Sequence, residues 1–131
     1  MNRALTPAEM RPPFANYSHG IEVAVGSRMV FVSGQLGVAP DGSVPDDVGA
    51  QADQCFANIA TILGAAGLSL KDIVRISGFV TDRADMAAYM AARDRHVGSP
   101  PPASTLMIVS GFNRPEFKVE IEVVAAKKDD V

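Results

Sequence analysis

Three runs of this 131-residue chain, Met29-Val-Phe-Val32, Ile73 to Val80 and Leu106 to Val109, offer apolar side chains to both faces of any sheet they enter. Successive side chains of a strand point to opposite faces, so such runs need cover on two sides. Only two segments carry helical spacing. Two helices cover one face of a mixed sheet, and the chain has no third to lay on the other. Either the sheet curls and closes on itself, or neighbouring copies cover the second face; symmetric self-association is the reading adopted here.

Glycine and proline supply the boundaries, since no repeat or low-complexity tract is present. Residues 1–15, with Pro7, Pro12 and Pro13, are expected to form an extended arm. Ile21 to Val25 alternates at period two, and Gly26-Ser27 suits a hairpin turn into Met29 to Val32. Pro40-Asp-Gly42 is a turn. From Val48 the spacing of Val48, Ala52, Cys55, Ile59, Ile62 and Ala66 predicts a helix capped by Asp46 or Asp47 and ended by Gly67. Ile73 to Val80 reads as a strand. Arg83 to Val97 reads as a second helix capped by Asp82, with Met86, Met90 and Val97 on one stripe, stopped by Ser99-Pro-Pro-Pro102. Ser104 to Val109 and Lys118 to Ala125 complete the order β-β-α-β-α-β-β.

Length predicts a single domain spanning 1–131. The chain carries 12 Lys+Arg against 15 Asp+Glu, a net charge of −3, and its one adjacent basic pair, Lys127-Lys128, is followed by Asp129-Asp130. Phosphate backbones are bound by clustered cations, so nucleic acid is not an expected partner. The first residues lack an apolar core with a cleavage site, and Ile59 to Leu68 is about half of the roughly 20 residues that span a bilayer. A cytoplasmic protein without membrane attachment is expected, and the lone Cys55 suits a reducing compartment.

Metal binding is not expected: His19 and His96 are far apart and no HxxxH or CxxC spacing occurs. His96 suits the last turn of a helix, where the dipole favours a cation. Cys55 falls on the apolar stripe of the first helix, where a thiol is inert. No GxSxG or phosphate-loop pattern is present, and no cofactor is implied. In Lys118-Val-Glu-Ile-Glu122, period two puts Glu120 and Glu122 on one face about 7 Å apart, with Val119, Ile121 and Val123 on the other. If the valines and isoleucine meet the helices, the carboxylates point to the uncovered face. The alternative is a solvent-facing edge strand whose charges discourage aggregation.

Taken in order, Asn16-Tyr17-Ser-His-Gly20, Val32-Ser-Gly-Gln35, Gln51, Gln54 to Asn58, Leu63 to Gly67, Asp72 to Ile76, Val80-Thr-Asp82, Tyr89, Pro102-Ala103 and Val119 to Glu122 resemble the RidA family, also called YjgF or endoribonuclease L-PSP. The resemblance covers about residues 16–126. It implies an α+β, chorismate-mutase-like fold, a mixed sheet with two helices on one face, assembled as a homotrimer with clefts between subunits. It also implies hydrolysis of reactive enamines and imines, such as those derived from 2-aminoacrylate, to a keto acid and ammonia. Carried over residue by residue, it makes Glu120 catalytic and Tyr17, Ser33, Gly34 and Gln35 part of the binding cleft.

The chain departs from the family where an arginine follows Pro-Ala and grips the substrate carboxylate: here Pro102-Ala103 leads to Ser104 and Thr105. A hydroxyl is a short neutral partner, whereas a guanidinium is a charged fork matched to a carboxylate. Ser104 and Thr105 are expected as hydrogen-bond donors; Arg114, counted among the expected substrate-binding residues, and Arg75 are the two candidates for a replacement cation, and the sequence does not choose between them. The expected function is a deaminase-like hydrolase acting on a small imine or enamine. A noncatalytic ligand-binding trimer is the alternative, with RNA cleavage behind both.

Overall fold

The computed structural model describes residues 1–129; Asp130 and Val131, the end of the expected domain, lie outside the described residues. The strands are β1 (Arg3–Leu5), β2 (Gly20–Glu22), β3 (Arg28–Leu36), β4 (Ile73–Val80), β5 (Ala103–Ile108) and β6 (Val119–Lys127), and the helices are α1 (Val48–Gly64) and α2 (Met86–His96). Four strands form one mixed sheet in the order β3-β6-β4-β5. β6 is antiparallel to both neighbours, and β5 runs parallel to β4. A parallel pair needs a crossover, and α2 lies on it.

Helix α1 begins at Val48 behind Asp47, one of the two expected caps, and its regular part ends at Gly64, two residues before the expected Ala66, while Gly67 closes the turn that follows. The Asp47 side chain accepts from the Ala50 N–H at 3.0 Å. At the other end Gly67, at φ +76, lets Leu68 N–H reach Leu63 O at 2.9 Å and its own N–H reach Gly64 O at 3.0 Å. That 6→1 and 5→2 pairing closes the last carbonyls and requires a residue at ease with positive φ. The helix buries Val48, Ala52, Cys55, Phe56, Ile59 and Leu63 against Ile76, Val80, Val119 and Ile121 of the sheet.

Four local expectations are corrected. β2 and β3 are not a hairpin pair, although Gly26 (φ +84) does turn the chain and Ser27 N–H bonds Ala24 O at 3.2 Å. β2 pairs instead with β1, so part of the expected arm is a strand, while β3 lies along β6. A turn signal is local, whereas partner choice follows the longer ladder, and nine-residue β6 offers β3 more than three-residue β2 could. The first turn of the expected second helix, Arg83–Asp85, is 3-10, with Asp82 accepting from Ala84 N–H at 2.9 Å. Its deepest residues are Tyr89, Ala92 and Arg93, while Met86, Met90 and Val97 are only partly buried.

His96 does sit in the last turn of α2, but its partner is a side chain. Its Nε2 lies 2.8 Å from Asp53 Oδ1, its ring stacks on Phe56 at 4.8 Å, and Arg95 Nη2 reaches the same carboxylate at 2.9 and 3.0 Å. Burial acts to raise the Asp53 carboxyl, yet the bonds from His96 and Arg95 outweigh it and leave the group below its ordinary 3.8. A carboxyl lowered by folding adds stability above its unfolded pKa, and that contribution disappears as pH falls through the folded value. Asp53→Asn should therefore flatten the acid limb of a stability profile measured from pH about 7 to about 3. Because the carboxylate is 43% exposed, the loss at neutral pH should stay below about 1 kcal/mol. Among the described residues, no helix is long and apolar enough to cross a membrane.

Candidate functional site

The alternation in β6 sorts its side chains as the sequence predicts. Val119, Ile121 and Val123 are buried against the helices, and Glu120, Glu122 and Val124 occupy the other face. Directly paired residues of a sheet share a face, so the register extends this open face across the strands. Arg75 opposes Val124, Ser77 opposes Glu122 and Phe79 opposes Glu120. On β5, Ala103, Thr105 and Met107 stand beside the same three β4 residues. Phe31 and Met29 of β3 complete it, 74% and 48% exposed, with Met107 at 53%.

One irregularity gives the face its shape. Between Val32 and Gln35 the ladder shifts by a residue, so Ser33 and Gly34 together face Glu122. Such a bulge bends the strand and leaves one residue outside the ladder. The Glu120 side chain occupies the space gained: a Cβ on Gly34 would lie 2.7 Å from Glu120 Cδ and 2.9 Å from Oε2. Only glycine permits this approach. Gln35 turns its amide back onto Ser33 O at 3.1 Å. Ser33, Gly34, Gln35 and Glu120 are thus one local group, assembled from the bulge of β3 and the start of β6.

Beside this group is a cavity of about 270 Å³, lined by Phe31, Ser33, Arg75, Ser77 and Glu122 among others. Arg75 Nη2 donates to Thr105 Oγ1 at 2.9 Å, which draws Thr105 into the same surroundings. A larger concavity, about 910 Å³, lies among the N-terminal residues, Lys71, Ser99, Pro100 and the end of β6, and contains none of the expected site residues.

Ser104, Tyr17 and Arg114 are placed elsewhere. Ser104 pairs with buried Ile76 and so shares the helix-side face, its Oγ buried without a hydrogen-bond partner among the described residues. Tyr17 sits at the β5 edge, because Ser18 N–H bonds Pro102 O at 3.0 Å and Ser18 bridges Ala103. Its hydroxyl accepts from Phe14 N–H at 3.3 Å, and its ring meets His19 edge-on at 6.2 Å. Within one chain Glu120 and Ser104 therefore face opposite ways. Arg114, in the loop before β6, is engaged by Glu116 at 3.3 Å and lies over the Phe117 ring at 4.5 Å.

Residues 8–127 match the family described as endoribonuclease L-PSP. The chain belongs to this family, the RidA/YjgF family of the sequence resemblance. The 2-iminobutanoate/2-iminopropanoate deaminase of Escherichia coli K12 is 35% identical over 127 residues, covering 93% of this chain and 92% of that protein. Protein DfrA of Myxococcus xanthus is 36% identical over 111 residues, 83% of each chain. The crystal structure of YyfB from Yersinia pestis, a protein of the conserved Rid family, superposes with a TM-score of 0.84 at 30% identity, over 96% of this chain and 98% of that one. The mixed sheet with two helices on one face is the fold of this RidA/YjgF protein.

Gln51, named in the sequence only among the residues of the resemblance, places the site, a role that sequence reasoning did not assign to it. Gln51 is fully buried; its amide donates to Pro45 O at 2.7 Å and Glu116 O at 2.9 Å, and its Oε1 accepts from Lys118 N–H at 3.0 Å. It holds the chain two residues before Glu120. A glutamine on the stripe between Val48 and Cys55 was the available signal, since a buried amide must find partners. Cys55 is buried as expected: burial first, then the Glu120 carboxylate, pushes its thiol up to about 12.

Proposed function

We propose that this RidA/YjgF protein hydrolyses a small imine or enamine to a carbonyl compound and ammonia, with Glu120 as the catalytic residue. The observation that carries the reading is the Glu120 carboxylate seated over Gly34 at the bulge, on a face the chain itself does not cover. A carboxylate held there can take a proton from water as the oxygen adds to the carbon of the protonated imine. It can then return that proton to nitrogen as the carbon–nitrogen bond of the carbinolamine breaks, and take up the hydroxyl proton released as the carbonyl forms. One water is consumed and one ammonia leaves; an enamine enters by protonation at carbon. The relative named 2-iminobutanoate/2-iminopropanoate deaminase supports the imine class.

The open face sets the assembly. Phe31, Met29 and Met107 are large apolar side chains exposed on one surface, the kind of patch that marks a protein contact. We read it as the contact between copies in a homotrimer, whose clefts take Tyr17 and Ser104 at the β5 edge of one copy and Glu120 of another. Ser104 turned toward the helices favours a second reading, a ligand-binding trimer without turnover.

The test generates a 2-imino acid in place from an amino acid and an oxidase and follows ammonia and the carbonyl product. The expected result is consumption faster than in buffer by a particle of trimeric mass. Saturable ligand binding without turnover would select the second reading, and a monomer in dilute solution would remove the second wall of the cleft.

A further inference from the structure

Beneath α2, on the helix side of the sheet, three buried polar atoms lack a hydrogen-bond partner among the described residues: Tyr89 Oη, Arg93 Nη2 and Ser104 Oγ. Tyr89 is fully buried and Arg93 is 3% exposed, so these atoms are enclosed by the chain itself, whatever a neighbouring copy covers. A guanidinium taken out of water needs acceptors for its N–H groups and a counter-charge. The acceptor that Arg93 has faces outward. Its Nε donates to Asp94 Oδ1 at 3.2 Å, and that carboxylate is 44% exposed and shared with Asn16 Nδ2 at 3.3 Å.

Register brings the three atoms to one place. Tyr89 Oη fills the space that a Cβ on Gly78 would need. Gly78 and Ile76 lie on the helix-side face of β4, and Ser104 pairs with Ile76. Helix α2 is the crossover between parallel β4 and β5, so it runs back against them. Four helical residues advance about 6 Å and two strand residues about 6.6 Å. Arg93, one turn beyond Tyr89, therefore comes to the level of Ile76 and Ser104. Two contacts set it toward β5, since Asp94 holds Asn16 and Ser18 bridges Ala103. Burial pushes the Tyr89 hydroxyl up to about 12, and the Arg93 charge opposes that rise, so the phenol keeps its proton within reach of the guanidinium.

From this juxtaposition we infer that Tyr89, Arg93 and Ser104 form an enclosed site for a small monovalent inorganic anion of the halide class. The proton count favours an anion over a water molecule. Arg93 Nη2 carries two protons and the hydroxyls one each, and a water has two lone pairs to offer these four, whereas a halide accepts from every side. The anion also supplies, inside the chain, the counter-charge that half-exposed Asp94 supplies only from the surface. An ion held there ties the last turns of α2 to the start of β5, directly behind Ala103. The site stands without the imine chemistry and without the assembly.

The melting temperature of the full chain in its native assembly, taken at pH 7 and constant ionic strength in sodium chloride, sodium bromide or sodium gluconate, tests the site. Gluconate is too large to enter. Chloride and bromide should raise the melting temperature above gluconate, by about 5 °C at ten times the dissociation constant. Tyr89→Phe and Ser104→Ala each remove one donor and should weaken the halide by about 10-fold, and Arg93→Met should abolish the response. Far-UV circular dichroism checks each variant, and if Arg93→Met does not fold, the two hydroxyl variants decide. Crystals grown in bromide should show an anomalous peak in contact with all three side chains. Equal melting temperatures in chloride and gluconate, or a halide response unchanged in the variants, overturn the site. So does a bromide crystal with only water beneath α2, and a bromide peak without a thermal response marks an adventitious ion only and overturns it as well.

Discussion

Glu120→Gln should lower ammonia release by about 10²- to 10⁴-fold, the range that removal of a general base or acid commonly costs. The amide keeps the size and shape of the carboxylate, so it still fits over Gly34, but it cannot accept a proton from water. The melting temperature should barely move, because Glu120 is partly exposed and makes no ion pair among the described residues. Gly34→Ala approaches the same group from the opposite side. Its methyl would lie 2.7 Å from Glu120 Cδ, and the carboxylate must swing away. A displacement of about 1 Å is enough to cost roughly 10²-fold in rate. Initial rates at saturating substrate check both variants. Wild-type rates in Glu120→Gln would show that the carboxylate over the bulge takes no part in the chemistry.

The largest expected effect on stability belongs to Gln51→Ala, about 3 kcal/mol. Its side chain is fully buried and makes three hydrogen bonds, to Pro45 O, Glu116 O and Lys118 N–H. Truncation leaves three backbone groups seeking partners, each costing about 1–3 kcal/mol when unsatisfied, with water entering the gap to recover part of it. In a chain of this size that should lower the melting temperature by about 10 °C, measured by calorimetry. Gln51→Glu should retain the acceptor for Lys118 N–H but set a carboxylate against two carbonyls, and should fall at least as far. Activity in Gln51→Ala should drop even at temperatures where it remains folded, because the entry of β6, and Glu120 with it, loses its anchor.

The contrast between β6 and its surroundings shows what could be read from the chain. The faces of Val119 to Val123 followed from period two alone, and the α1 ends followed from Asp47 and Gly67, because each depends on residues within a few positions. The partner of β2 did not follow, since Gly26-Ser27 signals a turn and says nothing of which strand lies alongside. Nor did the side of the sheet that receives Ser104, which is set by its parallel register with Ile76 across α2. Arg75 was nameable as a cation but not locatable. Its place on the open face follows once Ile76 is known to be buried, because the next residue in a strand must face the other way.

The bulge at Ser33 and Gly34 also fixes the phase of everything after it. Beyond it Gln35 pairs with Ile121 and Leu36 with Glu120, and Gly37 comes so near helix α1 that a Cβ there would lie 2.8 Å from the Gln51 backbone. Deleting Ser33 or Gly34 would restore an unbroken ladder with Gln35 still opposite Ile121, and the space that the Glu120 side chain occupies at the bulge would close. Loops elsewhere can lengthen or shorten at small cost, but here the one supernumerary residue of the strand is what gives the carboxylate its seat.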